Sequence, residues 1–112
     1  MTAKPPERQA RAVPRFMKSK RRLSSVVQAK VDSQIKTLMD NPLVGEMKKG
    51  ALKEVRVVKF KADDRQYLLA YYFHAKPNII EALDVAVHEN FYRGLEGYLR
   101  DRPSSSPSAR SS

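Results

Sequence analysis

The chain has 112 residues, enough for one domain with a modest core; 41% are hydrophobic and 30% charged. Lysine and arginine outnumber aspartate and glutamate 22 to 12, a formal net charge of +10 that attracts polyanions, nucleic acid foremost. Cysteine is absent, which excludes disulfides, thiolate metal sites and thiol nucleophiles, and no apolar run is long enough to cross a bilayer or to serve as a secretory signal.

Residues 1–15 read as a basic, disordered N-terminal arm. Pro5, Pro6 and Pro14 break helices, apolar residues are scarce, and Lys4, Arg8, Arg11 and Arg15 outweigh Glu7. A short helix or turn is expected over 16–22, with Phe16 and Met17 its groups worth burying. Leu23, Val26, Val27, Val31, Ile35, Leu38 and Met39 then recur at three- and four-residue steps, the stripe of one amphipathic helix over 23–40 that stops before Pro42.

Residues 41–51 form a loop with Gly45, Gly50 and the pair Lys48-Lys49. Val55, Val57, Val58 and Phe60 begin a strand region, and Tyr67 to Phe73 is a denser run of strand formers. Ala62-Asp63-Asp64 supplies a hairpin loop and Pro77-Asn78 a second turn. A third strand over 79–87 alternates, with Ala82, Asp84, Ala86 and His88 expected on one side. Phe91, Leu95, Tyr98 and Leu99 return to helical spacing, although Gly94 and Gly97 each weaken that helix by roughly 1 kcal/mol relative to alanine. From residue 101 the chain becomes a serine-rich, disordered tail.

The expected fold is α+β. An N-terminal amphipathic helix or helical hairpin packs on a three- to four-stranded antiparallel sheet, with a short C-terminal helix, over a domain at 16–100. The helices are expected on one sheet face. Ala70, Ala82 and Ala86 would then leave a shallow groove on the other, near Arg56, Lys59, Lys61 and Arg65. The third strand ends in His88-Glu89-Asn90-Phe91-Tyr92-Arg93, which gathers imidazole, carboxylate, amide, phenol and guanidinium where a sheet meets a helix.

That block, with Lys48-Lys49-Gly50-Ala51-Leu52-Lys53-Glu54-Val55-Arg56-Val57 and Arg65-Gln66-Tyr67-Leu68-Leu69-Ala70-Tyr71, resembles the RelE/ParE superfamily of bacterial type II toxin–antitoxin toxins. The resemblance implies a cytoplasmic toxin held by a cognate antitoxin protein. In its RelE-like branch such a toxin is a metal-independent mRNA endoribonuclease acting on the ribosome, without a cofactor. In its ParE-like branch it inhibits DNA gyrase by binding. A non-toxic basic nucleic-acid-binding protein of the same fold is a third reading. The sequence departs from the family pattern at Gly94, where a helix-favouring residue is common.

RNA cleavage needs a group to take the 2′-OH proton, a group to protonate the leaving 5′-oxygen, and cations for the phosphate. His88 is the natural proton handler, since an imidazole titrates near neutral pH. Tyr92, one turn on, is a second donor, a stacking surface or a core-edge residue. In the resemblance Arg65 and Arg56 clamp the phosphate, while Lys48, Lys49, Lys59, Lys61 and Arg93 meet the backbone around it. Plainer readings stand beside these: His88 as a capped or solvated residue at a strand end, Glu89 and Asn90 as helix caps, Arg56 and Arg65 as solvated edge charges, Tyr67, Tyr71 and Tyr72 as sheet packing.

Overall fold

A computed structural model describes residues 7–50 and 53–101, and the side chains at 88, 89, 90, 93 and 101 fall outside what is described. The elements in chain order are β1 (Gln9–Ala12), α1 (Pro14–Arg21), α2 (Ser25–Asp40), β2 (Glu46–Met47), β3 (Arg56–Ala62), β4 (Arg65–His74), β5 (Ile79–Val87) and α3 (His88–Asp101). Pro14 opens α1, where its missing N–H costs nothing. Ser24 caps α2 by accepting the Val27 N–H, a contact that stabilises a helix by about 1 kcal/mol. The α2 stripe buries Val27, Val31 and Leu38 and lays Ile35 and Met39 against the core, where Leu23 joins them from just before the helix, but Val26 stays exposed.

The described sheet has five strands in the order β1-β5-β4-β3-β2, mixed rather than purely antiparallel because β1 runs parallel to β5. This corrects the expected strand count and the expected arm. Gln9 to Ala12 register against Ile79 to Ala82, so backbone pairing draws in a stretch too polar to announce itself. Arg8 fastens the entry, donating to Asn78 Oδ1 at 2.9 Å and to the Met39 carbonyl while its guanidinium lies over the Phe73 ring. Of the expected arm, residues 7–15 therefore belong to the fold; residues 1–6 and the tail from 102 lie outside the described residues. The β3–β4 hairpin turns at Asp63 and Asp64, both at positive φ, the two-residue turn that matches strand twist.

The expected bare sheet face is also corrected. Tyr67, Leu68, Leu69, Ala70 and Tyr71 are buried in succession, so β4 is covered on both sides. A bulge between Ala70 and Tyr71 breaks the parity of β5: Ala70 pairs with Asp84 and Tyr71 with Ala82, leaving Leu83 unpaired. Ala82 therefore faces away from Ala70 and Ala86, and no alanine groove forms. One face carries the cross-strand rows Glu46–Val57–Ala70–Asp84 and Lys59–Leu68–Ala86. Helix α3 packs on β4 and β5 over that face, burying Phe91 and Leu95. The opposite face carries Arg56, Phe60, Tyr67 and Tyr71, the last tied to the loop that follows α2.

Candidate nucleic-acid interface

The exposed lysines of β3 share the face under α3. Lys59 pairs with Leu68 and Lys61 with Gln66, two positions about 7 Å apart on the strand, wide enough to meet successive phosphates. Lys48 follows β2 and donates its backbone N–H to the Val55 carbonyl. Glu46 and Lys48 lie two residues apart and therefore project to one side. The Lys48 Nζ stands 3.1 Å from Glu46 Oε1 and 5.4 Å from the centre of the Tyr92 ring. Burial lowers the Lys48 pKa, but hydrogen bonds to Glu46 and Tyr92 and their charges raise it more, so the ammonium stays charged above its ordinary range.

Tyr92 is half-buried, its ring edge-on to Phe91 at 5.0 Å. Phe91 belongs to the core, so the α3 position that fixes it also fixes the neighbouring phenol. His88 is the first residue of α3, directly after Val87, whose partner is Tyr67. Its backbone thus stands at the sheet end that carries Lys61 and Gln66, one helical turn before Tyr92. The side chains of His88 and Arg93 lie outside the described ones. Lys49 is exposed in the turn after β2.

The two arginines are not brought together. Arg56 pairs with Tyr71 and Arg65 with Ala62, six steps along β3, which puts about 20 Å between them. Both registers fall on the face opposite Lys59 and Lys61. Arg56 donates to the carbonyls of Gly45 at 2.8 Å and Leu43 at 3.3 Å, so its fork holds a loop. Arg65 is exposed beside the hairpin turn. Sequence reasoning missed Glu46, which orients Lys48; the signal was its spacing from Lys48 in an extended segment.

Among the described residues no three His, Asp or Glu side chains gather as metal ligands, and no described helix is long and apolar enough to cross a membrane. Chemically, the arrangement can neutralise a polyanion along β3, hold a phenol against an ammonium, and place an imidazole-bearing position one turn from that phenol.

The model of a family described as the ParE-like toxin of type II bacterial toxin–antitoxin systems matches residues 11–96. Among solved structures, a free variant of the Escherichia coli toxin RelE is similar at TM-score 0.68 and 17% identity, covering 86% of this chain and 99% of that one. The Mycobacterium tuberculosis toxin–antitoxin complex RelBE2 gives 0.65 and 18%, covering 73% and 99%. The intact E. coli RelBE toxin–antitoxin complex gives 0.62 and 17%, covering 73% and 98%. At these identities the structural likeness is one of fold. No curated protein matches the sequence significantly.

Proposed function

The chain belongs to the ParE-like toxin family of type II bacterial toxin–antitoxin systems, and from that premise we propose that it is a metal-independent endoribonuclease that cuts mRNA on the ribosome. The single observation that carries this reading is the contact of Lys48 with Tyr92, on the face that also exposes Lys59 and Lys61. A gyrase inhibitor that acts by binding has no need of a phenol held by an ammonium beside a row of exposed lysines.

In the proposed reaction Lys59 and Lys61 seat the RNA backbone, and charge on the phosphate is met by Lys48. His88 accepts the proton of a 2′-OH. The 2′-oxygen bonds to phosphorus, the bond from phosphorus to the 5′-oxygen breaks, and Tyr92 supplies the proton that the leaving oxygen takes. The products are a 2′,3′-cyclic phosphate and a 5′-OH, with the histidine left protonated and the phenolate beside Lys48. Proton return through water resets both groups. Arg56 and Arg65 have no part in this scheme.

A cognate antitoxin is the proposed protein partner, as RelE has in the E. coli RelBE complex. The basic face suits an acidic segment, whose association weakens as salt rises.

The second reading, inhibition of DNA gyrase by binding, draws on the ParE-like description of the family. The two separate in a translation extract supplied with the purified chain and an end-labelled mRNA. Fragments ending in 2′,3′-cyclic phosphate, lost with Tyr92→Phe, support cleavage. Intact mRNA together with inhibited supercoiling by gyrase supports the second reading.

A further inference from the structure

Helix α3 is gripped from two sides. On one, Lys48 meets Tyr92; on the other, Arg15 from α1 lies over the Tyr98 ring at 5.1 Å. Arg15 is itself anchored. Its Nε donates to Asp84 Oδ2 at 3.1 Å, and the other Asp84 oxygen accepts the Ser19 hydroxyl at 2.6 Å and the Val85 N–H at 2.9 Å. Asp84 is a charged residue only 3% exposed, in the middle of β5 and four residues before His88. A buried ion pair is a weak source of stability compared with a well-packed apolar contact, and its best-attested use is to fix one arrangement among several.

Gly94 completes the junction. A Cβ at that position would stand 2.9 Å from the Arg15 Nη2, so the guanidinium reaches the helix surface through the space that glycine leaves. Gly94 is two residues after Tyr92 and Tyr98 six. The departure from helix-favouring composition at this position thus coincides with a cation inserted between α1, β5 and α3. Apolar burial of Phe91 and Leu95 holds α3 on the sheet, but such contacts tolerate rotation and sliding that a directional, charge-assisted hydrogen bond does not.

We propose that Arg15 is a positioning residue for Tyr92: wedged between Asp84 and Gly94, it sets the rotation of α3 and so the placement of the Tyr92 phenol against Lys48. The kinetic consequence rests on the proposed ribonuclease reading; the structural one does not. A displaced proton donor loses turnover steeply, ~100-fold for an error near 1 Å, while RNA still binds through Lys59 and Lys61.

The test uses the full chain with Gly94→Ala, Arg15→Ala and Arg15→Lys, and reads two quantities. The first is the NMR ring resonances of Tyr92, recorded without RNA. The second is kcat and KM on an RNA that the wild type cleaves. Gly94→Ala is the discriminating variant, because alanine favours a helix and a purely structural role would leave it as stable as wild type or more so. The expected result is a folded variant with shifted Tyr92 signals, kcat lower by 10- to 100-fold and KM within twofold. Arg15→Lys should recover part of the loss seen in Arg15→Ala, and none of these changes should lower turnover further in a Tyr92→Phe background.

Tyr92 resonances that stay in place in both Gly94→Ala and Arg15→Ala overturn the proposal, whatever the activity. So does an Arg15→Ala loss that persists undiminished without the Tyr92 hydroxyl. A wild type that cuts no RNA overturns the ribonuclease reading instead, and the ring resonances still decide the placement of Tyr92.

Discussion

Lys48 and Tyr92 meet across two elements that are 44 positions apart in sequence, the turn after β2 and the second turn of α3, with 5.4 Å between the ammonium and the ring centre. The contact keeps a positive charge beside the phenol. Lys48→Met retains much of the stem and removes the charge. It should lower kcat for RNA cleavage by about 100-fold with little change in Tm, and Tyr92→Phe should do the same. If they act as one unit, the double variant should be no worse than either alone, as measured by a double-mutant cycle on kcat.

Arg56 and Arg65 should separate by stability. Arg56→Ala leaves the Gly45 and Leu43 carbonyls without their charged donor and should cost about 1–3 kcal/mol in urea unfolding. Arg65 is exposed at a turn, and its alanine variant should stay within about 0.5 kcal/mol of wild type. Cleavage by the folded fraction should be little changed in both. A large loss of turnover in either, without loss of fold, would return that arginine to the site.

Tyr71 gives the fold a pH dependence of known sign. Burial raises its pKa, and the Gly45 N–H and the Arg56 charge, which both lower it, do not cancel that effect. The folded chain therefore keeps the phenol proton at a pH where the unfolded chain has lost it, so Tyr71 makes stability fall as pH rises above about 10. Tyr71→Phe removes partners from the Pro42 carbonyl and the Gly45 N–H and should cost about 1–3 kcal/mol at pH 7. The gap between variant and wild type should narrow above about pH 10 in equilibrium unfolding. Gly45→Ala would put a Cβ 2.7 Å from the Tyr71 oxygen and should destabilise the same corner.

Lys59 and Lys61 should act through charge alone. Replacing both with glutamine should weaken binding to any single-stranded RNA, whatever its sequence. It should also reduce the slope of log affinity against log salt by about 1.4, two phosphate contacts at 0.7 each. Fluorescence anisotropy over a range of salt measures that slope. An unchanged slope would place the RNA elsewhere.

Much of this architecture is legible in the chain because local chemistry and the fold agree there. The α2 stripe of Val27, Val31 and Leu38, the Asp63-Asp64 turn and the change from alternation to helical spacing after Val87 each follow from residue type and period. Strand β1 is not legible. Gln9 to Ala12 carry no apolar pattern, and what holds them is the backbone of Ile79 to Ala82, about 70 residues away. The parity of Ala82 depends on a bulge at Ala70/Tyr71 that alternation alone does not reveal. Within the site, basic residues on β3 and the phenol on α3 were readable as types. That Arg56 serves the Gly45 carbonyl, or that Gly94 makes room for Arg15, depends on contacts made only when distant elements meet.

Cleavage of mRNA at the face under α3 is read out by inducing the wild type, His88→Ala and Tyr92→Phe in a bacterial host and mapping abundant mRNAs by primer extension. New 5′ ends should appear inside translated frames for the wild type and be lost in both variants, while each variant still accumulates as folded protein. Growth arrest with intact mRNA in all three would contradict it and point to a target that is bound rather than cut.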